Sequence, residues 1–254
     1  MTVPVGRTLV SLSNGDLGII NNATGALTGI DANTVVLNDI AGDGAEVLFG
    51  VSGSELYEID VEGRTAALVG DVGTTALINA LGFDNAGQLY GAGGSGFYSI
   101  DKTTGVASLV ATLPAFTSSG DIVFDEANNW FWSTADNGET DTLYRITLDG
   151  TFTEVGDIGF EEVYGITVDG LGTLVGYTSA GEQLEIDRAT GAGTVMASVS
   201  PIPAEIFGAT EYVEPGAPLS DFIGSELRLE IFSPNIESPL IEPVFATVGD
   251  GSRR

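Results

Sequence analysis

Acidic residues return along this chain at intervals of about 42 residues: Asp43, Asp84, Asp125, Asp169 and Glu211. Each stands at or beside the end of a short run of small and branched residues, so a ring of such runs would gather them at one channel mouth. Carboxylates collected there would bind a cation or perform acid-base chemistry. The same placing suits a plainer task. In Asp84-Asn85-Ala86-Gly87 an aspartate opens a turn, where its carboxylate accepts backbone N–H groups two or more residues on. Turn capping is the expected role of the four aspartates. A second oxygen-rich group is Asp136, Asn137, Glu139 and Asp141, spaced closely enough to attract Ca²⁺. It lacks the twelve-residue calcium-loop spacing and a distal bidentate glutamate, which makes a solvated hairpin loop the default and Ca²⁺ the one cofactor to consider. Trp130, Phe131 and Trp132 offer flat faces on which a sugar ring could stack. Trp130 falls where other repeats carry leucine and Trp132 where they carry glycine, so packing between repeats is the expected use.

What is missing narrows the chemistry more than what is present. There is no cysteine and no histidine among the 254 residues, which removes disulfides, thiolate chemistry, imidazole metal sites and every Ser-His or Cys-His arrangement. Eight basic residues against 36 acidic ones give a formal net charge of −28. Phosphate backbones and anionic membrane surfaces need basic side chains, so nucleic acid is excluded as a partner and membrane surfaces are disfavoured. Such an acidic surface keeps copies apart, holds protein in solution at high salt and attracts cations, as a marine, saline or extracellular setting would favour. Gly91-Ala92-Gly93-Gly94-Ser95-Gly96 lies between two strand patterns and reads as a hairpin, not a phosphate-binding loop. No apolar run reaches the roughly 18 residues that cross a bilayer, and the first residues show no signal peptide.

The elements that position these residues follow from a repeat. Ile20-Asn21-Asn22-Ala23-Thr24-Gly25, Ile100-Asp101-Lys102-Thr103-Thr104-Gly105 and Ile186-Asp187-Arg188-Ala189-Thr190-Gly191 are three copies of one phrase. Ile59 to Gly63 and Ile146 to Gly150 are looser copies. In each, an alternating strand runs into a turn whose Asx and glycine supply side-chain hydrogen bonds and positive φ. Half a period away lie small-residue strands at 38–43, 79–84, 120–125, 164–169 and 207–212. Each period then holds four short strands, which is a propeller blade. The last of these strands has nothing after it to complete a blade, and residues 8–30 supply the missing three. The expected fold is all-β: a five-bladed β-propeller over residues 1–212, closed by pairing of the N-terminal strands with the strand at 206–212. A linker over 213–224, with Glu214-Pro215-Gly216-Ala217-Pro218, leads to a short β tail at 225–254, where Leu227, Leu229 and Ile231 alternate on one face. Two strands with one apolar face are marginal alone, so the tail is expected to dock, to pair with another molecule or to open a further β domain.

At Leu56-Tyr57-Glu58-Ile59-Asp60, at Phe97-Tyr98-Ser99-Ile100-Asp101-Lys102-Thr103-Thr104-Gly105 and at Leu68-Val69-Gly70, the chain resembles the repeats of secreted bacterial β-propellers, many of unassigned function. The resemblance spans residues 7–212 and implies a fold and an export route rather than an activity. Ser225 to Gly251 is similar to the opening of a β domain that follows propellers in some such proteins. The function expected is a non-enzymatic extracellular or cell-surface binding or structural module, whose tail attaches it to other surface proteins or to copies of itself. A carbohydrate-active propeller, hydrolase or lectin, is the alternative, because a glycosidase needs only two well-placed carboxylates. A strand-exchanging filament or shell subunit is a third.

Overall fold

Alternation of apolar and small residues, broken every few positions by Asx-Gly or Thr-Gly turns, gives twenty strands in the computed structural model, which describes residues 6–30, 35–42 and 47–212. The chain divides into two units, 1–224 and 225–254, and the described residues all belong to the first. The tail and its alternating leucines therefore lie outside the described residues, as does Asp43. No helix is present among the described residues, and none is long and apolar enough to cross a membrane.

The strands form five antiparallel four-stranded sheets, each one blade. Blade 2 is β4 (Asp39–Gly42), β5 (Leu48–Ser52), β6 (Glu55–Asp60) and β7 (Thr65–Asp71). Blade 3 is β8 (Ala80–Phe83), β9 (Leu89–Gly93), β10 (Gly96–Ile100) and β11 (Ala107–Thr112). Blade 4 is β12 (Ser118–Asp125), β13 (Trp130–Asp136), β14 (Asp141–Thr147) and β15 (Phe152–Asp157). Blade 5 is β16 (Val163–Val168), β17 (Leu174–Thr178), β18 (Glu182–Ile186) and β19 (Gly193–Ser198). Blade 1 is shared between the ends of the ring: β1 (Arg7–Leu12), β2 (Leu17–Asn21) and β3 (Ala26–Ile30) are completed by β20 (Ile206–Glu211), which pairs with β1 from Thr8↔Glu211 to Leu12↔Ile206. The expected closure is present.

Each blade shares an apolar core with the next. Leu9 and Leu17 of blade 1 pack with Ile40, Leu48 and Ile59 of blade 2, and Trp132 and Leu143 of blade 4 with Ile166, Leu174 and Ile186 of blade 5. Burying one such side chain is worth about 1.5–3 kcal/mol, so the five interfaces hold the ring together. The closing interface adds a buried polar cluster. The Tyr177 hydroxyl donates to Thr8 Oγ1 at 2.9 Å, Thr8 donates to Asn22 Oδ1 at 3.0 Å, and Gln183 Nε2 donates to the Asn22 carbonyl at 2.9 Å.

The Thr-Gly phrases are places where one blade's turn meets its neighbour's outer strand. Gly191 has φ +84, and a Cβ there would collide with the Gly156 carbonyl. At Gly105, φ is +83 and a Cβ would stand 2.9 Å from the Gly70 backbone. Glycine is required at both places by conformation and by the close approach.

Two registers differ from expectation. Gly50, Gly91 and Gly176 face Ile40, Leu81 and Ile166, but in blade 4 the residue facing Ile122 is Ser133, not Trp132. The hairpin after Asp125 is one residue longer: Asn128 and Asn129 donate backbone N–H to the Asp125 carbonyl, Asn129 takes φ 61, and the ladder resumes at Trp130↔Asp125. Phe131 therefore fills the core position that leucine holds elsewhere. In blade 1, Thr8 faces Glu211 where the corresponding pair in blade 5 is Leu174↔Val168, a slip of one from the expected match of Thr8-Leu9-Val10 with Thr173-Leu174-Val175.

Gly191→Ala should destabilise the protein by about 2–3 kcal/mol through strain and collision. Gly53→Ala, at φ +60 with nothing within 4 Å of the added carbon, should cost about 1 kcal/mol. Urea unfolding of the two variants measures the difference, which reports the contact between blades; equal losses would assign the Gly191 effect to backbone conformation alone.

Candidate functional site: the propeller channel

The five innermost strands, β4, β8, β12, β16 and β20, line the axis. Where they end, a funnel of about 930 Å³ opens, walled by the strand ends and the hairpins that follow. Asp84, Asp125, Glu126, Asp169, Glu211 and Arg188 lie around it. The structure thus places four of the five recurrent acids at one mouth.

Three of those four are tied to their own turns. Asp84 Oδ1 accepts the N–H groups of Ala86 and Gln88, both at 2.9 Å. Asp169 Oδ1 accepts those of Leu171 at 3.0 Å and Thr173 at 2.8 Å. Asp125 accepts the backbone and side-chain N–H groups of Asn128 at 3.1 and 3.0 Å, and the Trp132 indole N–H at 3.0 Å. Arg188 Nη1 lies 3.8 Å from its second oxygen. Glu211 ends a strand and caps no turn. Its carboxyl is raised above the usual range, first by loss of water around it and then by the neighbouring charges of Asp169 and Glu126.

The aromatic run of blade 4 is committed to packing. Phe131 and Trp132 are buried, and Trp130 and Trp132 meet edge-on with centroids 5.8 Å apart. Arg145 lies over the Trp130 ring at 5.0 Å and Arg188 over that of Trp132 at 6.0 Å.

The residues considered for Ca²⁺ point in different directions. Asp136 Oδ1 accepts Gly138 N–H at 2.6 Å, and Asn137 Oδ1 accepts Glu139 N–H at 3.2 Å, within an exposed hairpin that also carries the Glu139 side chain. Asp141 is turned inward, 3 % exposed, and accepts Val163 N–H at 2.7 Å. Among the described residues no group of three or more acidic side chains is placed to hold a metal ion. Burial first, then the charges of Asp136 and Glu162, push the Asp141 carboxyl up to about 6 despite the opposing hydrogen bonds.

Sequence reasoning passed over the most deeply buried carboxyls on the axis. Asp39 and Asp121 are 0 % and 1 % exposed and sit at the same place in blades 2 and 4; Ala80, Gly165 and Gly208 hold that place in blades 3, 5 and 1. The next residue in each innermost strand turns its N–H toward them. Leu81 N–H donates to Asp39 Oδ2 at 2.5 Å, while Ile166 and Ala209 donate to Asp121 Oδ2 at 2.9 and 3.2 Å. Ile40 and Ile122 turn their N–H groups toward their own strands' aspartates and favour the ionised form. Five N–H groups, one per blade, converge on two carboxyls just beyond the funnel floor. Side chains close the channel at this layer. A Cβ at Gly208 would collide with Asp39, so the glycine makes room for the pair.

No protein-family model matches the chain, and no curated protein matches it. Solved structures do. A chain in a crystal structure of a nidogen/laminin complex aligns with TM-score 0.59 at 10% identity, over 82% of this chain and 98% of that one. A protein of unknown function from Bacteroides thetaiotaomicron aligns with TM-score 0.57 at 18% identity, over 83% of this chain; the match spans 62% of that longer chain. A symmetrical protein from a study of de novo evolutionary emergence and folding constraints aligns with TM-score 0.51 at 15% identity, over 80% of this chain and 93% of that one. At these identities the likeness is one of fold, the β-propeller.

Because the folded Asp141 carboxyl holds its proton to about 6, where an aspartate of the unfolded chain loses it near pH 4, its contribution to stability is fully present below about pH 4 and is lost as pH rises through about 6. Asp141→Asn keeps an acceptor for Val163 N–H and removes the titration. Its unfolding free energy, followed between about pH 4 and pH 7, should fall less with rising pH than that of the wild type; parallel profiles would show that Asp141 is ionised throughout.

Proposed function

We propose that this chain is a non-enzymatic propeller module of an exported or surface-exposed protein, a rigid ring whose segment 213–254 attaches it to other surface proteins or to copies of itself. The observation that carries this reading is the closed channel, in which Asp39 and Asp121 are buried, each with one oxygen held by backbone N–H groups of the ring. Hydrolysis of a glycosidic bond needs two available carboxyls about 5–10 Å apart across the scissile bond. At the funnel Asp84, Asp125 and Asp169 are held by their own turns. The net charge of −28 suits a saline or extracellular setting and opposes nucleic acid. In sequence, Leu227, Leu229 and Ile231 alternate with polar residues, the pattern of a strand that pairs through one apolar face.

The test is size-exclusion chromatography with light scattering on the full chain and on the Leu227→Asp, Leu229→Asp, Ile231→Asp triple variant, each with calcium and with a chelator. The full chain should assemble and the variant should run as a monomer. Two monomers would defeat self-assembly through this segment, and assembly of both would place the contact elsewhere.

The open funnel favours a second reading, a propeller that binds a glycan or other small ligand at this mouth. On a glycan array, binding that Glu211→Ala reduces at least tenfold would support it; no binding by the wild type would count against it.

A further inference from the structure

We propose that Asp39 and Asp121 form a proton-sharing latch that ties the five blades together at the channel axis and loosens when its shared proton is lost. Each carboxyl has one oxygen occupied by backbone N–H groups from other blades. The other oxygens, Asp39 Oδ1 and Asp121 Oδ1, are buried and receive no N–H or other hydroxyl donor. A Cβ at Gly208 would collide with Asp39 Oδ1, and Asp121 Oδ2 accepts the N–H of the next residue, Ala209, so the two carboxyls meet beside one stretch of backbone. Both orphan oxygens are acceptors when ionised, so a bond between them requires a proton on one. With one proton the pair carries a single negative charge, which five converging N–H groups can stabilise. With none it carries two like charges in a buried site, which repel and strain the interfaces that Asp39 and Asp121 bridge.

Asp39 is the proton's holder, because Asp121 accepts two N–H bonds against one on Asp39 and is the better stabilised anion, and because the Asp121 charge acts on Asp39. Burial raises both carboxyls well above the usual carboxylate range. The innermost strands carry no lysine or arginine. Besides the pair, their titratable side chains are Asp125 and Glu211 at the funnel mouth and Tyr164 on β16. Of the second strands, β9 and β17 carry Tyr90 and Tyr177, β13 carries Asp136, and β1 carries Arg7 at its exposed end. The folded state therefore binds a proton that the unfolded chain releases near pH 4. The stability this adds is fully present below that pH and is lost as pH rises through the pair's raised titration.

The test uses the full chain. Asp39→Asn keeps an acceptor for Leu81 N–H and supplies an amide N–H to Asp121 Oδ1, which holds the latch closed without a titrating proton. Above about pH 5 the wild-type folding constant should fall with pH more steeply than that of Asp39→Asn, by up to about tenfold per pH unit for one proton. Equal slopes would overturn the proposal. Asp121→Asn turns an amide toward backbone donors and should be destabilised at every pH. Carbon-13 NMR of aspartate-labelled Asp141→Asn protein, which removes the other raised aspartate, decides independently of the stability profiles. One buried carboxyl should remain protonated at about pH 6, after ordinary aspartates have titrated near pH 4. If all aspartate signals have moved by then, no shared proton exists.

Discussion

A sheet placed on end around an axis leaves the inner edge of its first strand without a partner, and a backbone N–H buried without an acceptor costs about 1–3 kcal/mol. Five blades bring five such edges together where no further strand fits. The channel can stay wide enough for water, or side chains can enter it carrying acceptors. At the layer of Ile40, Leu81, Ile122, Ile166 and Ala209 the second solution is used, and a carboxyl suits it because its two oxygens serve several donors. The remaining choices at this layer follow from that one. Two aspartates fill the space, so the other three blades must be small there, and they carry Ala80, Gly165 and Gly208.

Away from the axis the balance passes to apolar burial and close backbone approach. Each interface between blades has its own core, and the outer strands are bare on their far edges, with Leu68, Leu109, Val195 and Met196 exposed. The turns pin neighbouring blades where the cores thin out, by Gly105 on Gly70 and Gly191 on Gly156. Blade 2 departs from this pattern: its turn places positive φ at Arg64, after Gly63, as the loose form of its phrase would suggest.

Much of the architecture was legible because its signals are local and recur. A Thr-Gly turn and an Asp-capped hairpin announce themselves in a few residues, and five copies make a count. The closure was legible because β20 alone lacks followers and β1 to β3 alone lack a leader. The blade 4 slip was not, since one extra residue in a hairpin leaves the hydrophobic pattern intact and only Asn129 in a left-handed conformation marks it. The buried pair is less legible because the recurrent acids end strands, whereas Asp39 opens β4 and Asp121 sits within β12. A usable sign was present: aligned across the repeats, this strand position reads Asp, Ala, Asp, Gly and Gly, without one large apolar residue. A strand position that avoids bulk in every blade is one where backbones crowd together.

The shared blade carries a consequence for how the protein is made. β1 finds its outer neighbour β2 at once, but its inner neighbour β20 arrives only after four complete blades have been synthesised. Until then β1 presents an open edge, and an unfinished ring can pair with a wrong strand. The seal is also the pairing of greatest sequence separation, the kind that slows folding most. Relocating the chain break to the connection between two intact blades, with the old ends joined, would turn that distant pairing into a local hairpin, keep the same ring, and exchange a late seal for a late docking of whole blades.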